Sequence, residues 1–304
     1  MAASVLSSTN RNYHVRSASF PSRSHPIREK VEENLTQLRQ WEESSPSTSS
    51  SSLCSGLSGL SELYQSVDDL LQLPQTRQAL LDCKRKKLID EALDGSLRLL
   101  DACGIARDVM MQVTDAVKDL QLALRRRVAT KAELEKDISI YLSLTKKIKQ
   151  NACACVKALE TEKFDFSTLS DGSQHFLEVM TLLSKARSFA GNILKQLLCF
   201  ISMTKPRCMK RSYVLKWIVG SSGRLQVACE KEEEEQKMNA VERLHASLSV
   251  LCSRKTEQNG KQLRDAQEQL NALIEGIQGP HVGLDLLQRR FIQTRVSLLN
   301  ILSQ

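Results

Sequence analysis

The chain has 304 residues, of which 41% are hydrophobic and 26% charged, so it can bury a sizeable core. Aromatic residues make up only 4% of the chain, with 12 glycines and 6 prolines, which disfavours a β-sandwich or barrel with its many turns. The formal net charge is +8, from 43 basic and 35 acidic residues. Because the two signs are interleaved along most of the chain, the excess is local and does not indicate a nucleic-acid partner.

Residues 1–24 are rich in serine and arginine and contain no acid. Such a composition cannot pack a core and predicts a disordered tail. Organellar transit peptides share it, so two compartments stay open. We expect a cytoplasmic protein, with the chloroplast as the alternative if residues 1–24 are a transit peptide.

One short pattern in this tail points to a partner. Arg16 and Pro21 flank Ser19, which resembles the phosphoserine ligand of 14-3-3 proteins. A phosphate on the serine would supply the negative charge and acceptors that an arginine cluster in the partner binds. Ser19, with Arg16 and Pro21, is therefore a candidate phosphosite, and a chance match in a Ser/Arg-rich segment is the alternative.

The periodic part of the chain begins after the tail. Ser24 and Pro26 resemble a helix start, and a serine tract through Ser52 resembles a linker. We therefore expect a short helix and linker over residues 25–52 and a helical bundle domain over 53–304. The first helix carries its apolar face on Ile27, Val31, Leu35, Leu38 and Trp41. A second helix starts at Leu53 and stops at Pro74.

The most regular pattern lies between Leu93 and Leu124, where an apolar or small residue recurs every three or four positions. This spacing predicts one buried stripe along a long helix, which ends at the arginines of residues 125–127. The stripe consists of Leu93, Leu97, Leu100, Cys103, Ala106, Met110, Val113, Val117, Leu120 and Leu124.

Four further helical segments are predicted, and a capping-box pattern at residues 130–133 begins the first, which runs to Leu159. The second spans Phe176 to Ile201. A third opens in the acidic run at 230–235, is interrupted near residue 259 and stops at Gly276, Gly279 and Pro280, and a last helix follows from Leu284. The chain is thus predicted to be all-α, an antiparallel bundle of about six or seven helices with a disordered N-terminal tail.

Catalytic, metal and cofactor motifs are not found. The five histidines are dispersed, no G-x-S-x-G occurs, and the nine cysteines include no C-x-x-C pair, which leaves no recognisable catalytic, metal or cofactor site. The odd cysteine count and the apolar setting of most thiols favour a reducing compartment. We expect a protein that is not an enzyme; the rival is an enzyme or carrier with a pocket between helices, lined by residues such as Tyr141 or His175.

No run of about 18 apolar residues occurs, so no membrane-spanning helix is predicted. A surface contact is a separate matter, because six basic residues and no acid lie between Lys205 and Arg224. Lys210, Arg211 and Lys216, interleaved with Tyr213 and Trp217, form a candidate patch for an anionic surface. Helix ends and solvated faces are the alternative explanation.

Three segments resemble landmarks of the plant-specific BYPASS-related proteins. They are residues 19–26 (SFPSRSHP), 93–104 (LDGSLRLLDACG) and 294–302 (TRVSLLNIL), in the same order and along nearly the whole chain. The resemblance implies a plant protein linked to root and shoot development, and it carries over no catalytic residues. We therefore expect a protein that acts by binding other proteins, with its oligomeric state left open.

Two glycines in the central landmark, Gly95 and Gly104, also have a physical interpretation. A glycine inside a helix costs about 0.5–1 kcal/mol relative to alanine. We therefore expect both positions to mark a close approach of another helix, and a leucine at position 104 to destabilise the fold.

Overall fold

The computed structural model describes residues 25–44, 49–81, 86–126, 131–160, 174–202, 244, 247–248 and 259–303. Within these ranges the chain is almost entirely helical and forms no strand, so the predicted all-α class is confirmed. The helices are α1 (Pro26–Ser44), α2 (Ser50–Gln72), α3 (Pro74–Leu80), α4 (Lys86–Arg125), α5 (Lys131–Glu160), α6 (Gln174–Ser202) and α7 (Asn259–Leu302).

The first helix packs on α2 and α6 through the predicted face. Val31, Leu35 and Leu38 are buried, and Trp41 is half-buried and donates from Nε1 to the carbonyl oxygen of Ser52 at 3.1 Å. That bond joins α1 to the first turn of α2. The last residues of the predicted serine linker are helical, because α2 begins at Ser50. The Ser49 hydroxyl caps the N-terminus of this helix, a position that serine favours.

The long helix α4 lies between α5, α6 and α7 and buries most of the predicted stripe. From Cys103 to Leu124 every stripe residue is at most 4% exposed, but Leu97 is 45% exposed, so its predicted burial is wrong. Leu99 and Ala102 are buried near it. Because α4 has neighbours on several sides, its buried face is wider than one stripe and is not centred on Leu97.

The predicted helix break at residues 276–280 is also wrong. The helix α7 runs without interruption from Asn259 to Leu302 with Pro280 inside it. Proline has no N–H to donate to the carbonyl oxygen four residues earlier, which here belongs to Gly276. The hydroxyl of Ser50 donates to that oxygen at 2.6 Å, so a residue of α2 supplies the hydrogen bond that the helix lacks.

The glycines near this proline allow α2 and α7 to approach closely. A Cβ at position 279 would lie 2.7 Å from the Cys54 Sγ, and one at position 283 would lie 3.1 Å from the Leu57 Cβ. Both distances are shorter than normal carbon contacts. We call Ser50, Cys54 and Leu57, with the facing glycines and Pro280, the glycine seam of α2 and α7.

Polar side chains continue the α2–α7 contact at its other end. Asp68 is only 6% exposed and accepts hydrogen bonds from the Ser297 hydroxyl and, at 2.9 Å, from Gln293. Gln72 donates to the Ser297 hydroxyl at 3.0 Å. A buried carboxylate is tolerated where donors of this kind surround it, so these bonds fix the position of α7 along α2.

The two landmark glycines differ. At Gly95 an added Cβ would overlap the guanidinium of Arg187 from α6, whereas at Gly104 no atom lies within 4 Å of it. The predicted close helix approach at Gly104 is therefore wrong, and the basis for a destabilising Gly104→Leu is removed. At Gly95 the predicted close approach of another helix exists, and the contact is made by the Arg187 side chain of α6.

Candidate functional site

A small pocket opens where α2, α4, α6 and α7 meet, and we call it the four-helix pocket. Its volume is about 40 Å³. One guanidinium, four hydroxyl-bearing side chains and five apolar side chains line it: Arg187; Tyr64, Ser96, Ser184 and Thr294; Ala92, Leu99, Met180, Leu183 and Leu298. A mostly apolar cavity with a few convergent polar groups is the usual form of a small-molecule site.

Arg295 fixes the wall of this pocket by joining two of the landmark segments. Its Nη1 donates to the carbonyl oxygen of Leu93 and, at 3.0 Å, to the hydroxyl of Ser96. That hydroxyl in turn donates to the same Leu93 carbonyl at 2.7 Å. The segments 93–104 and 294–302 therefore contact each other directly through charge-assisted hydrogen bonds, which are the stronger kind.

Arg187 occupies the centre of the site because Gly95 has no side chain. The guanidinium lies in the space that a Cβ at position 95 would fill, and its Nη1 is buried. Burial raises the pKa of the Tyr64 phenol, and the positive charge of Arg187 acts in the opposite direction. The cation and the phenol thus lie close enough to interact, and Tyr64 remains a neutral hydrogen-bond donor at neutral pH.

Two more side chains complete the geometry. Thr294 is 4% exposed, and its buried hydroxyl has no hydrogen-bond partner within the part of the chain that the structure describes. The Tyr64 ring meets Phe291 edge to face at a centroid distance of 4.5 Å, a favourable aromatic arrangement. Phe291 therefore fixes the phenol in position, while Thr294 offers an unused polar group to the pocket.

A second, larger concavity lies between the C-terminal half of α4 and the N-terminal half of α5, and we call it the α4–α5 groove. Its volume is about 460 Å³. The apolar lining includes Leu122 and Ile140, which are 58% and 55% exposed, and Tyr141 at 3%. Four charged side chains also line it: Asp115, Asp119, Asp137 and Arg126.

The predicted site residues fall mostly elsewhere. Two of the predicted sites lie outside the described residues: the phosphosite Ser19 with Arg16 and Pro21, and the basic patch of Lys210, Arg211 and Lys216. Tyr141 lines the α4–α5 groove. The Nε2 of His175 lies 3.2 Å from the Thr76 hydroxyl, and His175 lines neither concavity. Arg125 ends α4, as the predicted role of the arginines at a helix C-terminus requires.

The residues of the four-helix pocket were not singled out from the sequence. One signal was present: Arg187 follows Ala186 and precedes Ala190 within the apolar stripe of α6, and both alanines are buried. A charge beside a buried stripe indicates a paired or functional group. Its companions Tyr64 and Thr294 come from helices far apart in sequence, so only the fold brings them together.

Within the described residues no three histidine, cysteine, aspartate or glutamate side chains come together as metal ligands. In the same part of the chain, no helix combines the length and apolarity that crossing a membrane requires. The five described cysteines, at positions 54, 103, 153, 155 and 199, are free thiols. Burial raises the pKa of the Cys103 thiol to about 12, so this thiol stays protonated and unreactive at neutral pH.

A family described as Protein BPS1 matches residues 56–301, which include the landmark at 93–104 and nearly all of the one at 294–302. No curated protein matches the chain. No solved structure matches it either.

Proposed function

The chain belongs to the Protein BPS1 family of BYPASS-related plant proteins, and we propose that it acts by binding another protein rather than by catalysing a reaction. The α4–α5 groove carries this proposal. Leu122 and Ile140 are more than half exposed there and line one concavity together. Apolar surface gathered in a concavity and rimmed by polar residues marks interaction sites.

The charge of the groove selects the partner. Three carboxylates and one guanidinium line it, a local excess of negative charge, although the chain as a whole carries +8. A basic amphipathic helix fits such a surface, with its apolar face on Leu122 and Ile140 and its lysines or arginines beside the aspartates. An anionic lipid surface would be repelled there, so peripheral membrane contact requires another surface, such as Lys210, Arg211 and Lys216.

The proposal is tested with two helical peptides of the same apolar pattern, one carrying lysines and the other glutamates, titrated against the full chain by fluorescence anisotropy. The basic peptide binds, and Ile140→Asp weakens its binding at least tenfold. Leu286→Asp, an equally drastic change at a position 46% exposed on α7, has no effect. Equal binding of both peptides, or binding indifferent to Ile140→Asp, contradicts the proposal.

The natural partner is then sought by affinity purification from plant tissue, with the wild-type chain and the Ile140→Asp and Leu286→Asp variants side by side. A partner of the groove is recovered with wild type and Leu286→Asp and lost with Ile140→Asp. Cross-links between α4 or α5 and a basic helical segment of that protein identify the contact. Cross-links that fall only outside the groove count against it.

The N-terminal tail supplies a second protein contact within the same proposal. Phosphorylated Ser19, flanked by Arg16 and Pro21, binds a 14-3-3 protein. Calorimetric titration of a phosphorylated peptide covering residues 12–26 into 14-3-3 tests this, with the unphosphorylated peptide as control. No heat of binding from the phosphopeptide rules the contact out.

We place this activity in root and shoot development, as the resemblance of the landmarks to BYPASS-related proteins implies. We place it in the cytoplasm because the cysteine usage favours a reducing compartment. Fluorescent fusions with and without residues 1–24 test the compartment. Cytoplasmic fluorescence from both supports the assignment, and chloroplast fluorescence that depends on residues 1–24 replaces it with the alternative.

A second candidate function, the binding of a small molecule, is favoured by a different observation. Hydroxyls and a guanidinium from four helices converge on the four-helix pocket. This pocket shares no lining residue with the α4–α5 groove. A cavity in a helical bundle, with inward polar side chains, is a common place for a ligand.

A further inference from the structure

The polar lining of the four-helix pocket suits an anion. The groups that reach it are the Arg187 guanidinium and the hydroxyls of Tyr64, Ser96, Ser184 and Thr294, and no carboxylate is among the described side chains that line it. Guanidinium groups only donate, and the hydroxyls of Tyr64, Ser184 and Thr294 each have a proton to offer. The Ser96 hydroxyl is the exception, because its proton goes to the Leu93 carbonyl. The pocket therefore presents donors to whatever enters it.

A second positive charge lies just behind the lining. Arg295 donates to the Ser96 hydroxyl and to the Leu93 carbonyl, and it is half-buried. Two guanidinium groups, from α6 and α7, thus raise the electrostatic potential of one small cavity.

The size of the pocket limits the anion. A cavity needs about 10–15 Å³ to hold one water molecule, so the 40 Å³ found here accepts about three non-hydrogen atoms. That is the size of a carboxylate group and too small for a tetrahedral phosphate. The remaining lining is apolar and comes from Ala92, Leu99, Met180, Leu183 and Leu298.

We propose that the four-helix pocket binds the carboxylate of a small apolar acid. The planar carboxylate accepts hydrogen bonds from the Arg187 guanidinium, the geometry in which arginine and carboxylate pair best. The Thr294 hydroxyl, which has no partner within the described residues, donates to the same group. Only the carboxylate enters the pocket, and the carbon chain of the acid extends out through the pocket opening.

The experiment measures the thermal unfolding of the full chain with hexanoate, hexanamide or hexylamine at 10 mM and constant ionic strength. A ligand that binds only the folded state raises the midpoint. Hexanoate raises it by several degrees, and the amide and the amine leave it unchanged. Inorganic phosphate at the same concentration has no effect, because it does not fit. An equal rise with hexanamide, or with phosphate, overturns the proposal.

Variants locate the site. Arg187→Gln abolishes the hexanoate shift, and Arg289→Gln, at an exposed arginine of α7, keeps it. Thr294→Val preserves the volume of the side chain and reduces the affinity for hexanoate in a calorimetric titration at least threefold. If Arg187→Gln does not fold, Thr294→Val decides the matter, since its hydroxyl makes no bond within the described fold. A hexanoate affinity unchanged in Thr294→Val, or a shift retained in Arg187→Gln, rejects the carboxylate site.

Discussion

The hydroxyl of Ser50 donates a hydrogen bond to the carbonyl oxygen of Gly276 at 2.6 Å, across the contact between α2 and α7. This is the carbonyl that Pro280 leaves without its helical donor. One side chain thereby allows α7 to continue through a proline, and the glycine seam brings that side chain within reach.

Replacing this hydroxyl destabilises the fold. Ser50→Ala leaves a carbonyl oxygen without its donor, at a cost of about 1–3 kcal/mol in the free energy of unfolding measured with urea. Ser55→Ala is the control, because that exposed hydroxyl donates only to Ser51 in its own helix. Adding Pro280→Ala restores an N–H four residues after Gly276, so it recovers most of the loss. A double variant no more stable than Ser50→Ala refutes the explanation.

Two glycines respond to alanine in opposite directions. At Gly56 a Cβ would lie 2.6 Å from the ring of Trp41, which its bond to the Ser52 carbonyl holds in place, so Gly56→Ala costs about 1–3 kcal/mol from overpacking. At Gly104 nothing lies within 4 Å, so Gly104→Ala gains about 0.5–1 kcal/mol of helix stability. Thermal midpoints of both variants check this. A lower midpoint for Gly104→Ala would show a neighbour where the structure has none.

Arg295 and Ser96 are coupled. Ser96→Ala removes the hydrogen bond from Arg295 and the one that Ser96 donates to the Leu93 carbonyl, at about 0.5–1.5 kcal/mol each. Arg295→Met removes the shared bond to Ser96 and its own bond to the Leu93 carbonyl. In a double-mutant cycle the two losses are less than additive, with an interaction energy of about 0.5–1.5 kcal/mol. Arg289→Met, at an exposed arginine of the same helix, adds to Ser96→Ala without coupling. Additive losses for Arg295 and Ser96 contradict the contact between the two landmarks.

The stability of the chain falls at high pH through its buried tyrosines. Burial raises the pKa of Tyr141 above its ordinary value of 10.0, because the ionised phenolate is disfavoured inside the protein. The unfolded chain therefore loses this proton first. The contribution of the neutral phenol is complete below pH 10 and is lost as the pH rises through the pKa of the folded state.

Tyr141→Phe removes that loss. Urea unfolding at pH 8, 9, 10 and 11 shows a constant difference between wild type and variant up to about pH 9. Above pH 10 the wild type loses up to about 1.4 kcal/mol per pH unit relative to the variant. If the unfolding free energies of wild type and Tyr141→Phe run parallel from pH 8 to pH 11, the prediction is wrong. Tyr64→Phe behaves in the same way, because burial also raises the pKa of Tyr64.

The sequence predicted the parts of the fold that depend on local spacing. The face of α1, the end of α2 before Pro74 and the buried stripe of α4 from Cys103 to Leu124 follow from the period of apolar residues. That period is a property of each helix by itself. The exposed Leu97 marks the limit, since the side of α4 that is buried there depends on where its neighbours lie.

What could not be predicted depends on contacts between distant segments. The carbonyl of Gly276, which Pro280 leaves without a helical donor, is satisfied by a hydroxyl 226 positions earlier in the chain. Glycine and proline together ordinarily indicate a stop. The four-helix pocket likewise takes Tyr64, Arg187 and Thr294 from three helices, none within a common motif. The α4–α5 groove depends on how the side chains of α4 and α5 pack against each other, and the apolar period of neither helix specifies that.

The glycine seam also has a consequence for biosynthesis. Its two halves are separated by 226 positions, and at 5–20 residues per second a ribosome needs roughly 10–45 s to make that length. Until α7 has been made, the face of α2 that the seam covers stays open to other contacts. A message truncated before α7 thus yields a polypeptide in which α2 has lost its main cover, a substrate for chaperones and proteases.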